Sequence, residues 1–260
     1  MILKPRPFRK PRKGHWATKG LVGLWLFNEG SGGQVFDLSG NGNTGTILGT
    51  TSWVAGKYGS ALSFPNSAGC EVQLGTSDVI DFTGSFTIVI GTYIATPNQD
   101  GIYGASDADA EGINIMMSGT GFDIWIFGLT DGYFSMANSA VVDNAWNEIA
   151  LSYDGAAKKF YANGVLKISE ADTGSITPVT GNYSIGECRG GFPYNSLVSH
   201  CYLYNRALSS SEVAQLYWNP FCMFEQDPIE LWSAATLGGA PPAGAAGIMT
   251  PWGGYWGPTY

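Results

Sequence analysis

The chain has 260 residues, 44% of them hydrophobic and 13% charged, with 37 Gly, 9 Trp, 13 Tyr and 13 Phe. That is too apolar and too poor in charge for a disordered chain, and the glycine and aromatic content favours short strands joined by tight turns over a helical bundle. The net charge of −8 hides an asymmetry: every acid lies beyond residue 19, so the body is acidic and any nucleic-acid contact is left to the basic start.

Residues 1–19 form a basic, proline-rich arm with Lys4, Arg6, Arg9, Lys10, Arg12, Lys13 and Lys19. Pro5, Pro7 and Pro11 interrupt what would be the apolar middle of a signal peptide, so export by that route is not expected. No run of about 18 apolar residues exists to span a membrane. Lys4, Arg6, Arg9 and Arg12 are candidate assembly contacts toward an acidic partner surface.

The body, residues 20–225, contains strand-like runs at Gly20–Phe27, Ala61–Phe64, Phe86–Ile94, Ile113–Met117, Phe122–Phe127, Glu148–Tyr153 and Leu197–Tyr204. In Phe122–Phe127 the residues alternate, Phe122, Ile124 and Ile126 against Asp123, Trp125 and Phe127, and apolar residues on both faces suggest a strand between two layers. Gly119-Thr120-Gly121 predicts a tight turn. Asn163-Gly164, between Lys158–Ala162 and Val165–Ser169, predicts a hairpin with a type I′ turn. One helix is predicted: Ser209 and Glu212 make a capping box before Val213, Ala214, Leu216 and Tyr217, and Pro220 ends it. Many strands and one short helix predict an all-β, two-sheet antiparallel jelly-roll sandwich. Residues 226–260 form a Gly/Ala/Pro-rich tail ending in Trp252, Tyr255, Trp256 and Tyr260, rings suited to docking on a neighbour.

Chemistry-bearing motifs are few. The two histidines, His15 and His200, lie apart, and His200 alternates with Val198 and Tyr202, which predicts a hydrogen-bonded structural residue. Zinc, nucleophile-elbow and phosphate-loop motifs are absent. Gly40-Asn-Gly-Asn-Thr-Gly45 has the spacing of a dinucleotide fingerprint, but a strand-like Thr46-Ile47-Leu48 follows where a helix must open. The same loop is rich in oxygen ligands: Asp37, Ser39 and Asn41 alternate before Gly42 like the first half of an EF-hand loop, with Asn43 behind them, and Ca²⁺ is the candidate cofactor. Leu48 stands where the bidentate Glu would be, and a simple Gly/Asn turn is the alternative. Asp107, Asp109 and Glu111 form an acidic cluster that a glycoside hydrolase could use, or a solvated loop. Trp53, Trp125 and Tyr133 are candidate glycan-stacking rings, or core. Cys70, Cys188, Cys201 and Cys222 are widely spaced and read as buried thiols, although Cys188 and Cys201 could meet across a hairpin.

Gly23–Gly32 (GLWLFNEGSG), Asp37–Gly45 (DLSGNGNTG), Gly59–Phe64 (GSALSF), Ser85–Ile88 (SFTI), Trp146–Gly155 (WNEIALSYDG), Phe160–Gly164 (FYANG) and Leu203–Glu212 (LYNRALSSSE) resemble, in order, the motifs of concanavalin A-like, laminin-G-type jelly-roll domains. The resemblance implies a module that binds glycans or proteins, often with Ca²⁺ near a first loop whose Asp corresponds to Asp37. The family usually carries an acid just before the late strand, where this chain has Val198-Ser199-His200, and such a loss weakens a calcium site. The basic start and the Pro220–Phe224 segment (PFCMF) resemble proteins of tailed bacteriophages. Together these features predict a non-enzymatic virion structural protein on the particle surface, either a capsid decoration or a tail or fibre component. Its expected partners are other virion subunits or further copies of itself, and cell-surface glycans. A calcium-dependent lectin and a glycoside hydrolase are the alternatives.

Overall fold

Alternating β-branched and aromatic residues form strands here because each run has at least one face to bury. The computed structural model describes residues 3–75, 80–95, 100–105, 111–118, 121–137, 140–188 and 192–224. In chain order the strands are β1 (Leu21–Trp25), β2 (Gln34–Val35), β3 (Gly45–Ile47), β4 (Ser52–Gly56), β5 (Gly59–Pro65), β6 (Val72–Gly75), β7 (Phe86–Ile94), β8 (Asp100–Ala105), β9 (Ile113–Ser118), β10 (Gly121–Ile126), β11 (Tyr133–Ala137), β12 (Ala145–Tyr153), β13 (Ala157–Ala162), β14 (Val165–Ala171), β15 (Tyr183–Ile185), β16 (Glu187–Cys188), β17 (Phe192–Pro193) and β18 (Asn195–Tyr204), and helix α1 is Ser210–Trp218.

Two eight-stranded antiparallel sheets result, and β16 pairs with β17 in a separate two-stranded ribbon. One runs β14-β13-β12-β7-β18-β5-β4, with β1 added on β18; the other runs β11-β10-β9-β8-β15-β6-β3-β2. Ile88, Ile90, Leu151 and Leu203 of the first sheet and Ile113, Ile115, Phe122 and Ile124 of the second share the central core. The fold is the expected jelly-roll sandwich.

The two sheets differ in what covers their outer faces. On the first sheet Val89, Ala150, Tyr202 and Tyr204 are buried in a second core with Val213 and Leu216 of α1 and with Phe221, Met223 and Phe224. Strand β10 lies in the other sheet and is fully covered on its inner face only: Phe122, Ile124 and Ile126 are buried, whereas Asp123 and Trp125 are half-buried. The expectation that β10 lies between two layers is therefore corrected, since an amphipathic Trp tolerates a partly wet face.

The local predictions hold where they rest on backbone chemistry. Asn163 and Gly164 adopt φ of +53° and +74°, and Ala162 pairs with Val165 across the turn. The capping box is reciprocal: the Glu212 N–H donates to Ser209 Oγ at 3.3 Å and the Ser209 N–H to Glu212 Oε2 at 2.8 Å. Ser118 pairs with Gly121 where the β9–β10 turn was expected, residues 119–120 themselves lying outside the described set. None of the four cysteines forms a disulfide, and Cys70, Cys188 and Cys201 are buried.

The basic arm does not reach away from the body. The Lys4 N–H donates to Tyr58 O at 3.2 Å, Asn28 Nδ2 donates to Pro5 O at 2.8 Å, Phe8 meets Phe36 edge-on at 5.0 Å, and the Arg12 N–H donates to Met223 O at 2.9 Å. Lys4 Nζ donates to the carbonyls of Phe27 and Ser60, and burial, outweighing the charge of Glu29, pushes its ammonium down to about 7. As an assembly contact Lys4 is thus corrected, because its head group is spent inside its own fold, whereas Arg6 and Arg9 stay exposed and Arg12 is half-buried. Trp252, Tyr255, Trp256 and Tyr260 lie outside the described residues.

Candidate functional site

The first loop folds back on β1. Asp37 Oδ1 accepts the N–H groups of Leu24 at 3.0 Å and Ser39 at 2.8 Å, and Oδ2 accepts that of Asn43 at 2.9 Å. Ser39 Oγ, Asn41 Nδ2 and Asn43 Nδ2 all donate to Val22 O, at 3.0, 3.1 and 3.0 Å. Each carboxylate oxygen is thus engaged by backbone donors and both amides point their NH₂ groups inward, which is the reverse of an oxygen cage. Asp37, Ser39, Asn41 and Asn43 come together as expected, but as a clasp that does not fit Ca²⁺. Among the described residues no group of three or more His, Cys, Asp or Glu is placed to hold a metal.

The half-wet outer face of the second sheet carries a different arrangement. Trp125 of β10 is directly opposite Tyr133 of β11, and their rings are 5.1 Å apart at 40°. Tyr133 is 46% exposed and donates its hydroxyl to Asp123 Oδ1 at 2.9 Å. Trp125 and Tyr133 line a shallow depression of about 190 Å³ together with Gly128 and Gly132. On the other side of Trp125, its cross-strand partner Asn114 is fully buried, and Asn114 Oδ1 has no hydrogen-bond partner.

A buried ion pair holds this ledge. Lys158 Nζ, on β13 of the first sheet, donates to Tyr133 O at 3.2 Å, to Asp131 O, and to Asp172 Oδ2 at 3.0 Å. The turn that presents Tyr133 is therefore tied across the sandwich edge. Trp53 sits elsewhere, on β4 of the first sheet, half-buried against the core with Nε1 donating to Gly32 O at 3.0 Å. The structure joins Trp125 to Tyr133 and leaves Trp53 apart. Asp123 was legible as a neighbour of Trp125 from the period of two, but Asn114 and Lys158 were not, since only strand register places them.

A serine, a histidine and a glutamate also line up. Ser199 Oγ is 2.9 Å from His200 Nδ1 and donates to Gly91 O at 3.0 Å; His200 Nε2 is 3.3 Å from Glu148 Oε2. Burial pushes the Glu148 carboxyl up to about 8 against the pull of Lys57, and burial with the charges of Lys4 and Lys57 pushes His200 well below the ordinary imidazole range. A neutral acid beside a neutral imidazole makes a one-way donor chain, Glu148 to His200 to Ser199 to the Gly91 carbonyl. Gly91 leaves the room: a Cβ there would lie 2.1 Å from His200 Cε1. Ser199 and His200 are each 1% exposed beneath Tyr58, Tyr202 and Phe221, so the line braces the second core. Of the acidic cluster, Asp107 and Asp109 lie outside the described residues, and Glu111 accepts the Thr180 N–H at 2.7 Å and its hydroxyl at 2.9 Å.

The two-sheet antiparallel jelly roll is the architecture of the concanavalin A-like class. Residues 66–214 match the Laminin_G_3 family of the concanavalin A-like lectin/glucanases superfamily. The chain belongs to this family of carbohydrate-binding jelly-roll domains. No curated protein matches it. Among solved structures it is similar to the binding domain of Paraclostridial Mosquitocidal Protein 1 (TM-score 0.63, 17% identity, 76% of this chain and 52% of that one). It is similar also to domain 4 of AbnA, a GH43 extracellular arabinanase from Geobacillus stearothermophilus, in complex with arabinotriose (TM-score 0.58, 22% identity, 76% and 98%). A third is the Trypanosoma rangeli sialidase in complex with sialic acid (0.60, 17%, 78% and 33%). At these identities the likeness is one of fold, and the chain spans about half the length of the toxin binding domains it matches.

Proposed function

We propose that the protein is a non-enzymatic glycan-binding module on the surface of a virus particle, with the Trp125–Tyr133 ledge as its sugar site. The observation that carries the reading is the tilted Trp125–Tyr133 ring pair on a partly exposed face beside the Asp123 carboxylate. Rigid aromatic surfaces bind the C–H face of a sugar ring at low entropic cost, and a carboxylate accepts its hydroxyls. Similarity to a domain solved with arabinotriose supports this assignment.

In a glycan-array screen followed by calorimetric titration, Trp125→Ala is expected to weaken binding of the best neutral glycan about 10–100-fold, the range of a central aromatic contact. Because Trp125 is half-buried on an outer face, the melting temperature should shift little. Unchanged affinity in a Trp125→Ala/Tyr133→Ala double variant would remove the ledge.

The particle setting is supported by the flanks. The two segments that resemble phage proteins, the basic start and Pro220–Phe224, pack against each other through the Arg12–Met223 hydrogen bond. Arg6, Arg9 and the ring-rich tail are left for contacts with other virion subunits or further copies of this chain. Removing residues 226–260 is expected to convert an assembling protein into a folded monomer in light scattering, and assembly that survives the truncation would overturn the tail's role.

A further inference from the structure

Lys10, Lys13 and Thr18 on one side and Leu21, Leu38 and Ser39 on the other line a groove of about 520 Å³ between the docked arm and the first loop. Both walls are held. The arm is bonded to the body at Arg12, the Thr18 hydroxyl donates to His15 O at 2.8 Å, and Ser39 Oγ donates to Val22 O. Lys10 and Lys13 are exposed, and among the described residues no acid pairs with either. Asp37, the carboxylate of the adjoining loop, accepts backbone N–H groups and forms no ion pair with either lysine.

We propose that this groove binds an acidic saccharide, with the Lys10 and Lys13 ammonium groups on its anionic substituent and the apolar floor of Leu21 and Leu38 under its ring. The inference rests on the glycan-binding reading but uses a site separate from the ledge. A preformed cationic groove needs little reorganisation to receive an anion. Two ammonium groups suit the sparse charge of a saccharide carrying one anionic group per one or two sugar units. A nucleic acid fits less well, since its bases stack on aromatic side chains and no ring lines the groove among the described residues. The acidic remainder of the chain also opposes a densely charged polymer.

The test is calorimetric titration of the full chain with a carboxylated hexasaccharide, a sulfated hexasaccharide, their neutral counterpart and a single-stranded hexanucleotide. Wild-type protein should prefer one or both acidic sugars about 10-fold or more over the neutral one, and the carboxylated and sulfated probes tell which anion is read. The preference should disappear in Lys10→Ala/Lys13→Ala, survive in Trp125→Ala, and shrink as salt rises. Equal affinity for acidic and neutral sugars, full retention in the double lysine variant, or tighter binding of the hexanucleotide would each overturn the groove. If the lysine variant loses the acidic sugar while Trp125→Ala changes no probe, the groove stands and the ledge falls. Loss of neutral-sugar binding in Trp125→Ala alone gives the reverse.

Discussion

Replacing Lys158 with alanine is expected to lower the unfolding free energy by about 3–5 kcal/mol, measured by urea denaturation, because it strands a buried carboxylate. The side chains of Lys158 and Asp172 are each 1% exposed, and the ammonium also serves the carbonyls of Asp131 and Tyr133 and lies 5.1 Å over the Phe134 ring. Lys158→Met keeps the volume but not the charge and should cost nearly as much. Adding Asp172→Asn to Lys158→Met should recover more than half of the loss, since the carboxamide oxygen still accepts the N–H groups of Asp131 and Thr173. A cost below about 1 kcal/mol for Lys158→Ala would show that the network is not structural. Loosening β11 should also weaken glycan binding at Tyr133 without touching a ring.

The same network has a pH signature. Burial works to raise the Asp172 carboxyl, but the Asp131 N–H, the Lys158 ammonium and the Thr173 N–H outweigh it and hold the group below the ordinary carboxylate range. Because the folded carboxyl ionises at lower pH than the unfolded one, its contribution is present above about pH 4 and is lost as pH falls through the folded value.

Glu148 has the opposite sign. Its folded carboxyl keeps its proton up to about pH 8, whereas the unfolded one releases it near 4.5, so the fold loses ground as pH rises through that interval. From this group wild-type protein should lose about 2–4 kcal/mol between pH 5 and pH 8. Glu148→Gln still presents a donor to His200 Nε2 without titrating, so the variant should lack this slope and be the more stable protein at pH 8. His200, held neutral in the fold, acts oppositely below about pH 6.5, but it is common to both proteins and drops out of the difference. Parallel pH dependences for wild type and variant would show that Glu148 is ionised in the fold.

Much of the architecture was readable locally. The alternation in Phe122–Ile126, the Asn163-Gly164 turn and the Ser209–Glu212 box depend on residues at most four apart, and each occurs as expected. The candidate sites were legible only in part. Asp37, Ser39 and Asn41 do gather, but whether a carboxylate faces a cation or backbone N–H groups depends on where β1 passes, and here Leu24 lies beneath it. Trp53, Trp125 and Tyr133 looked alike in the sequence, and strand order separates the first from the other two. Lys4 appeared as one charge among seven on a free arm, yet the carbonyls of Phe27 and Ser60 take it in.

By itself, then, the sequence determined the longer strands, the Asn163-Gly164 turn, the capped helix and the jelly-roll class, because those follow from side-chain period and backbone conformation over a few residues. The tertiary structure decided which polar groups meet: Glu148 with His200 across 52 positions, Lys158 with the Asp131 carbonyl across 27, Trp125 with Tyr133 across a strand pair. Those meetings are set by register and by the packing of one sheet on the other. A charge or a ring changes its role according to whether that packing leaves it in water or closes over it.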